Sequence, residues 1–245
     1  MKIQIICVYN NEALFLQMKE SVFTRGGGKP ENCEVLGLDN TANRFPSAAA
    51  AYNYALEDLC DADVLAFCHQ DVVFLENSVE KLALICREDD SGLYGAAGIK
   101  NIGGTRREDR IISRMAQNRE GLFYDTLAED GTEPVFTLDE CFLVGSAKLF
   151  VTLRFDEKTC SGWHLYAAEL CLQCHEKGIA VKVFDANIVH LSGGRMDRTF
   201  FKAEKAIAAK YRRRFAMLTF TNSWCYTDPL RYNAMSIYRR LRYGL

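Results

Sequence analysis

Three polar side chains, His69, Gln70 and Asp71, follow the apolar run Val64-Leu65-Ala66-Phe67-Cys68 and precede Val72-Val73-Phe74. The run reads as a buried strand, so the triplet lies at a strand's C-terminal end, where open α/β sheets gather ligands. A carboxylate with an imidazole two residues earlier is a seat for a divalent cation. Mg2+ beside a nucleotide takes only one or two protein carboxylates, the phosphates and water supplying the rest. Asp71 is the candidate carboxylate, and His190 could add an imidazole nitrogen, which Mn2+ accepts more readily than Mg2+. His69 could ligate or hydrogen-bond phosphates. From the triplet alone, a satisfied core histidine and a capping aspartate are an equal alternative.

The elements that must position these groups alternate. Residues 3–9 read as a strand, and Glu12 to Phe23 carries helical spacing through Leu14, Phe15, Met18 and Val22. Glu34 to Leu38 is a short strand ending at Asp39-Asn40. Ser47 can cap an alanine-rich helix from Ala48 to about Cys60, and Asn77 one from Ser78 to Arg87. This rhythm predicts an α/β fold, Rossmann-like, with a mostly parallel sheet and helices on both faces. Beyond it, Tyr94 to Ile99 and Phe136 to Val144 read as strands, and Ala147 to Phe150 as a helical turn. Residues 101–130 form a long polar segment of the kind found in functional surface loops. Trp163 to Lys177 is helical up to Gly178, Ile179 to Phe184 and Ile188 to Leu191 are strand-like, and 199–214 is a basic amphipathic helix. Four polar clusters then fall at strand ends: Asn10-Asn11-Glu12, Asp39-Asn40, His69-Gln70-Asp71 and His190. In a doubly wound sheet these ends share one edge, the pattern of a ligand crevice.

The chain has 245 residues, 49% of them hydrophobic, enough for one substantial core. No apolar run approaches the ~18 residues of a membrane-spanning helix, and the N-terminus enters a strand with no signal-peptide pattern. The expectation is a cytoplasmic protein. Its ten cysteines are irregularly spaced, many in apolar segments, and read as small buried hydrophobes; Cys171 and Cys174 lack the second pair of a zinc site. Charge is uneven. Residues 195–245 hold twelve Lys and Arg against three Asp and Glu, while 1–194 carry a net −11. The sequence thus divides into a body, 1–194, and a basic, aromatic helical extension, 195–245, packed on the same domain. Lys210-Tyr211-Arg212-Arg213-Arg214-Phe215 and Tyr238-Arg239-Arg240-Leu241-Arg242-Tyr243 would suit peripheral contact with the inner membrane face, or a solvated helical cap. Nothing upstream looks like a nucleic-acid-binding module, so no nucleic acid partner is expected.

Val8-Tyr9-Asn10-Asn11-Glu12 with the helix after it resembles the opening of family 2 glycosyltransferases, which have the GT-A fold. Asp39-Asn40 is similar to their nucleotide-contacting acidic position. Ala50-Ala51-Tyr52-Asn53-Tyr54-Ala55-Leu56 before Phe67-Cys68-His69-Gln70-Asp71 resembles their helix and Asp-x-Asp strand end. The His-Gln-Asp form, Trp163-His164-Leu165-Tyr166 and His190-Leu191-Ser192 resemble one branch of that family. The resemblance covers about residues 3–194.

It implies transfer of a sugar from a nucleotide-sugar, a UDP-sugar first, to a glycan, polysaccharide or lipid-linked acceptor, inverting and dependent on Mn2+ or Mg2+. Tyr9, Asn11, Glu12, Asp39, His69 and Gln70 would contact the donor, Asp71 and His190 the metal, and Arg195 would close over the phosphates. An inverting transferase needs a base, often an acid at the start of a late helix, and Ala167 falls at that position here. Asp139, Glu140, His164 and Glu169 remain as candidates. His164 has the intrinsic pKa best suited to base work near neutrality, and an apolar flank could raise the basicity of Asp139. Two alternatives stay open. A sugar-phosphate nucleotidyltransferase would open on a glycine-rich basic loop where this chain has Tyr9-Asn10-Asn11-Glu12. A nucleotide-sugar-binding protein without catalysis would be consistent with Ala167.

Overall fold

The computed structural model describes residues 1–57, 61–101, 111–113, 115–117, 122–123, 131–193 and 196–243. Its first third follows the predicted alternation: β1 (Ile3–Tyr9), α1 (Glu12–Thr24), β2 (Cys33–Asp39), α2 (Ala48–Glu57), β3 (Val64–Cys68), β4 (Val72–Phe74) and α3 (Ser78–Glu88). The caps are local chemistry. Asn11 Oδ1 accepts from the Leu14 amide and Ser47 Oγ from the Ala50 amide, each satisfying a donor the helix leaves open. Asn77 precedes α3 in a left-handed conformation, φ 61°, and makes no side-chain cap bond, so the predicted cap is there in position only.

Short strands follow: β5 (Leu93–Gly95), β6 (Ala97–Ile99), β7 (Ile111–Ser113), β8 (Ala116–Gln117), β9 (Leu122–Phe123), β10 (Glu133–Pro134), β11 (Thr137–Leu138) and β12 (Phe142–Ser146). Then come α4 (Ala147–Thr152), α5 (Tyr166–Lys177), β13 (Val181–Val183), β14 (Ile188–His190), α6 (Arg198–Tyr211), β15 (Met217–Thr219), β16 (Trp224–Tyr226) and α7 (Pro229–Tyr243). The central sheet has the order β10-β13-β5-β12-β3-β1-β2. Five strands run one way; β12 opposes β3 and β5, and β10 opposes β13.

Side chains alternate across this sheet as a strand's two-residue period requires. Val64, Ala66 and Cys68 pack with Met18, Val22 and Leu82 beneath α1 and α3. Leu65 and Phe67 pack on the other face with Tyr52, Phe150 and Leu170 beneath α2, α4 and α5. Residues of the basic C-terminal segment, among them Phe200, Ile207, Tyr211, Leu218 and Phe220, belong to this second core. Nine cysteines are described, all free and buried. Among the described residues no helix is long and apolar enough to cross a membrane.

Three predicted elements are broken. Tyr94 to Ile99 splits at Ala96 into strands of two different sheets. Phe136 to Val144 is interrupted at Asp139-Glu140-Cys141, a turn rather than a strand. The helix predicted from Trp163 begins only at Tyr166, because Leu165 is left-handed at φ 62°. A bulky residue rarely adopts that conformation and pays for it in backbone strain, which turns Trp163 and His164 out of the helix.

Candidate active site

β3 ends at Cys68, and the next three residues face the cluster the sequence singles out. His69 Nδ1 lies 3.9 Å and His190 Nε2 3.3 Å from Asp71 Oδ1. The ligand atoms of these three residues all fall within 4.8 Å of one another. His190 does not come from the central sheet, as the shared-edge argument had it. It ends β14, in a separate four-stranded sheet, β4-β14-β8-β9, where it pairs with Val72. The Leu191 amide donates to the Asp71 carbonyl at 2.9 Å and locks the two segments in register.

The proton on His69 can be assigned from its neighbours. Tyr166 Oη donates to the Glu140 carbonyl at 2.9 Å, which uses its one hydrogen. It therefore accepts from His69 Nε2 at 3.0 Å, leaving Nδ1 as a lone pair turned toward a carboxylate. Burial, with the neighbouring His190, pushes His69 down to about 4, so the ring is neutral near pH 7. Burial opposes the charge on Asp71, but the hydrogen bond and charge of His190, then the Ser192 hydroxyl, hold it well below the ordinary carboxylate range. The His190 Nε2 hydrogen bond already compensates the Asp71 carboxylate, so a metal held here would displace that proton. One carboxylate and two imidazoles are a donor set that Mn2+ or another first-row ion accepts. The residues fit a metal.

Two cavities meet at this cluster, sharing His69 and Trp163. The larger, about 300 Å3, is lined by Tyr9, Asn10, Asn40, Tyr52, Asp71 and Tyr166 among others. Tyr9 is held there by stacking on Phe15, centroids 4.3 Å apart and planes 8° from parallel. Phe15 in turn lies over Gly37, where any Cβ would collide with its ring. Asn40 is buried, its Oδ1 accepting from the Phe45 amide at 2.7 Å. The smaller cavity, about 160 Å3, is lined by Asp139, Glu140, His164, His190, Phe220 and Thr221 among others.

The two adjacent carboxyls of the smaller cavity are pushed apart. Burial works against the Asp139 charge, but His190, the Cys141 amide and the Thr221 hydroxyl at 2.9 Å outweigh it and lower its pKa. The apolar flank of Asp139 thus does not raise its basicity, contrary to expectation, because these polar partners win. Glu140 is raised well above the ordinary range by burial and by Asp139, and its Oε1 is buried with no hydrogen-bond partner. Burial and Asp139 thus favour the neutral form of Glu140, while Asp139 is held toward its ionised form. His164 Nε2 is 3.5 Å from Asp197 Oδ1, at the mouth of α6.

Other predicted site residues are placed elsewhere. Glu169 is fully buried, bonded to Lys210 at 2.5 Å and to Tyr211 at 2.8 Å, and it is absent from either cavity wall. It anchors α6 to α5 and has no access to a substrate. Gln70 lines the larger cavity, yet its amide is committed: Oε1 accepts from the Asn10 and Asn11 amides at 2.9 and 2.8 Å, and Nε2 donates to Asn10 Oδ1. It clamps the β1–α1 turn to the end of β3. Asn11 caps α1, Glu12 is exposed, and Asp39 is exposed with its Oδ1 bound to Thr41; none lines either cavity. Arg195 lies outside the described residues. Ala167 is fully buried and lines neither cavity. Asn43, Thr221 and Asn222 were missed as lining residues, and for the last two the sequence offered no signal beyond the tail's composition.

A family model described as glycosyltransferase-like matches residues 4–240. The chain belongs to the glycosyltransferase-like family. Among solved structures, this family member is similar to GalNAc-T7, crystallised with UDP, GalNAc and Mn2+: TM-score 0.57 at 12% identity, over 84% of this chain and 47% of that one. It is also similar to S. aureus TarS 1-349 in complex with UDP-GlcNAc, with a TM-score of 0.56 at 14% identity, over 86% of this chain and 66% of that one. The chain thus spans about half the length of GalNAc-T7 and just under two thirds of that TarS chain. These likenesses establish the GT-A fold. A Fuscovulum blasticum protein, "ATP synthase subunits region ORF 6", is 26% identical over 216 residues, 86% of this chain and 84% of that protein.

Proposed function

We propose that this transferase moves a sugar from a nucleoside-diphosphate donor, UDP-sugars first, to a hydroxyl of a glycan, polysaccharide or lipid-linked acceptor, with inversion. The observation that carries the reading is the junction of two cavities at His69, Asp71 and His190. The nucleotide lies in the larger cavity against Tyr9, Asn10 and Asn40, and the transferred sugar and acceptor meet in the smaller one. His69, Asp71 and His190 would hold Mn2+ or Mg2+, which when bound offsets the charge growing on the departing diphosphate.

Asp139 is the base in this reading. The acceptor oxygen bonds to the anomeric carbon as the carbon–oxygen bond to the diphosphate breaks, and the hydroxyl proton passes to the Asp139 carboxylate. Its ionised state and its fixed position, tied to Thr221 and the Cys141 amide, support the role. Glu140, whose charge burial and Asp139 disfavour, can donate a hydrogen bond to a sugar hydroxyl when it carries its proton.

The test is a panel of UDP-, GDP- and dTDP-sugars with Mn2+ or with EDTA, read as nucleoside diphosphate released and as thermal shift. Metal-dependent stabilisation with release supports the reading. Stabilisation without release across varied acceptors would make the chain a binding protein, and pyrophosphate from a nucleoside triphosphate plus sugar phosphate would make it a nucleotidyltransferase.

A further inference from the structure

α7 is held to the body by one face only. Tyr232 and Met235 are buried, Tyr232 Oη reaches Glu204 at 3.2 Å, and Arg239 bonds Glu204 at 2.8 Å. Glu204 is itself fully buried and also accepts from Ser223 at 2.6 Å, so the helix is fixed firmly to α6 and the β15–β16 hairpin. Its opposite face inverts the usual surface pattern. Leu230, Ile237 and Leu241, spaced seven and four residues apart, lie on one stripe and are 80%, 59% and 84% exposed. Tyr238 is 59% exposed beside them and, with Trp224 of β16 and Arg231, lines a groove along α7.

Charge decides what can cover this face. α7 contains four arginines and no Asp or Glu. Arg239 is used internally, whereas Arg231 and Arg240 are exposed beside the apolar stripe. The whole segment from residue 195 carries a net +9. A second copy meeting this face through its own α7 would set like charges against each other, and nucleic acid would leave the aliphatic stripe in water. An anionic bilayer surface satisfies both features, taking aliphatic and aromatic side chains at the headgroup boundary and arginines against the lipid phosphates.

We infer that α7 docks this protein on anionic membrane surfaces, its Leu230–Ile237–Leu241 stripe lying in the headgroup layer. The hairpin links this face to the site: Asn222 lines the smaller cavity, two residues before Trp224. Docking through α7 would hold the smaller cavity's wall close to the bilayer through this hairpin, and a lipid-linked acceptor is the substrate class such docking serves. That last clause rests on the proposed transferase reading; the docking does not.

The test is co-sedimentation of the full chain with vesicles of phosphatidylcholine alone or mixed with phosphatidylglycerol. Wild type pellets with the anionic vesicles, less so as salt rises, and stays in solution with the neutral ones. Ile237→Asp with Leu241→Asp abolishes pelleting while the melting temperature and nucleotide binding are unchanged, since both side chains are exposed. Arg231→Gln with Arg240→Gln weakens it about thirtyfold, roughly fivefold for each charge. The inference is overturned by an absence of pelleting with anionic vesicles, or by equal pelleting with both lipids. It is overturned too if the double aspartate variant binds undiminished, or if sedimentation velocity reveals a dimer that Ile237→Asp disperses. Vesicle binding involves no sugar transfer, so its failure and failure of the transferase reading are separately visible.

Discussion

His69 depends on a neighbour in the wall of the larger cavity. Tyr166 fixes which nitrogen carries the proton and so aims the Nδ1 lone pair at Asp71. Tyr166→Phe leaves the His69 Nε2 hydrogen without an acceptor, and Mn2+ affinity should fall about 10–100-fold in a metal titration, with the fold intact by circular dichroism. The carboxyl pair makes a contrasting prediction. Asp139→Asn should lower kcat by about 10^2–10^4 with donor affinity unchanged, whereas Glu140→Gln, which keeps the side chain's size and removes only a charge that burial disfavours, should cost far less. Steady-state kinetics on the two variants checks the assignment of base. At this scale the pairing of His69 with Asp71 was legible from residue type and the end of β3, and His190 from residue type alone, since it arrives from a different sheet. The roles of Gln70 and Glu169 were not, because a polar residue beside a site can equally serve to tie two elements together, and sequence spacing does not say which.

Elements are joined by buried ions as well as by apolar packing. Lys210 on α6 reaches Glu169 on α5 and Asp156 in the loop between α4 and α5, at 2.5 and 2.8 Å. Lys210→Met would leave the fully buried Glu169 charge without its counterion, at about 3–5 kcal/mol in urea melts. Asp156 gives the pH signature. Burial opposes its charge, but Lys210 and Thr159 hold it down to about 2 against an ordinary 3.8. A folded-state pKa below the unfolded one stabilises above about pH 4, and that contribution is lost as pH falls toward 2. Discounted for partial exposure, the Asp156→Asn cost should be about 1 kcal/mol at pH 7 and close to nothing at pH 2, read from paired urea melts. The β-α-β rhythm of the first third was legible because each strand and helix there has its own periodicity and cap. The start of α5 was not: Leu165 carries nothing in its type to foretell a left-handed backbone, and that one residue sends Trp163 and His164 into the cavities.

Over the whole molecule, the basic C-terminal segment is part of the core rather than an appendage. Phe200, Ile207, Tyr211 and Phe220 are each 3% exposed or less, packed with residues of α2 and α5. A chain ending at residue 194 should therefore fail to give a cooperative thermal transition, its second core stripped on one side; scanning calorimetry decides this. Composition marked the segment as basic and aromatic, but only the packing reveals that Phe220, Thr221 and Asn222 return to wall the smaller cavity. On the proposed reading, His69, Asp71 and His190 form the metal-dependent diphosphate site at the junction of the two cavities. Calorimetric titration of UDP into the full chain, with Mn2+ and with EDTA, for wild type and Asp71→Asn, tests it most directly. The account predicts binding by wild type only with Mn2+ and a loss of at least about a hundredfold in the variant; equal UDP affinity in EDTA, or undiminished affinity in Asp71→Asn, would contradict it.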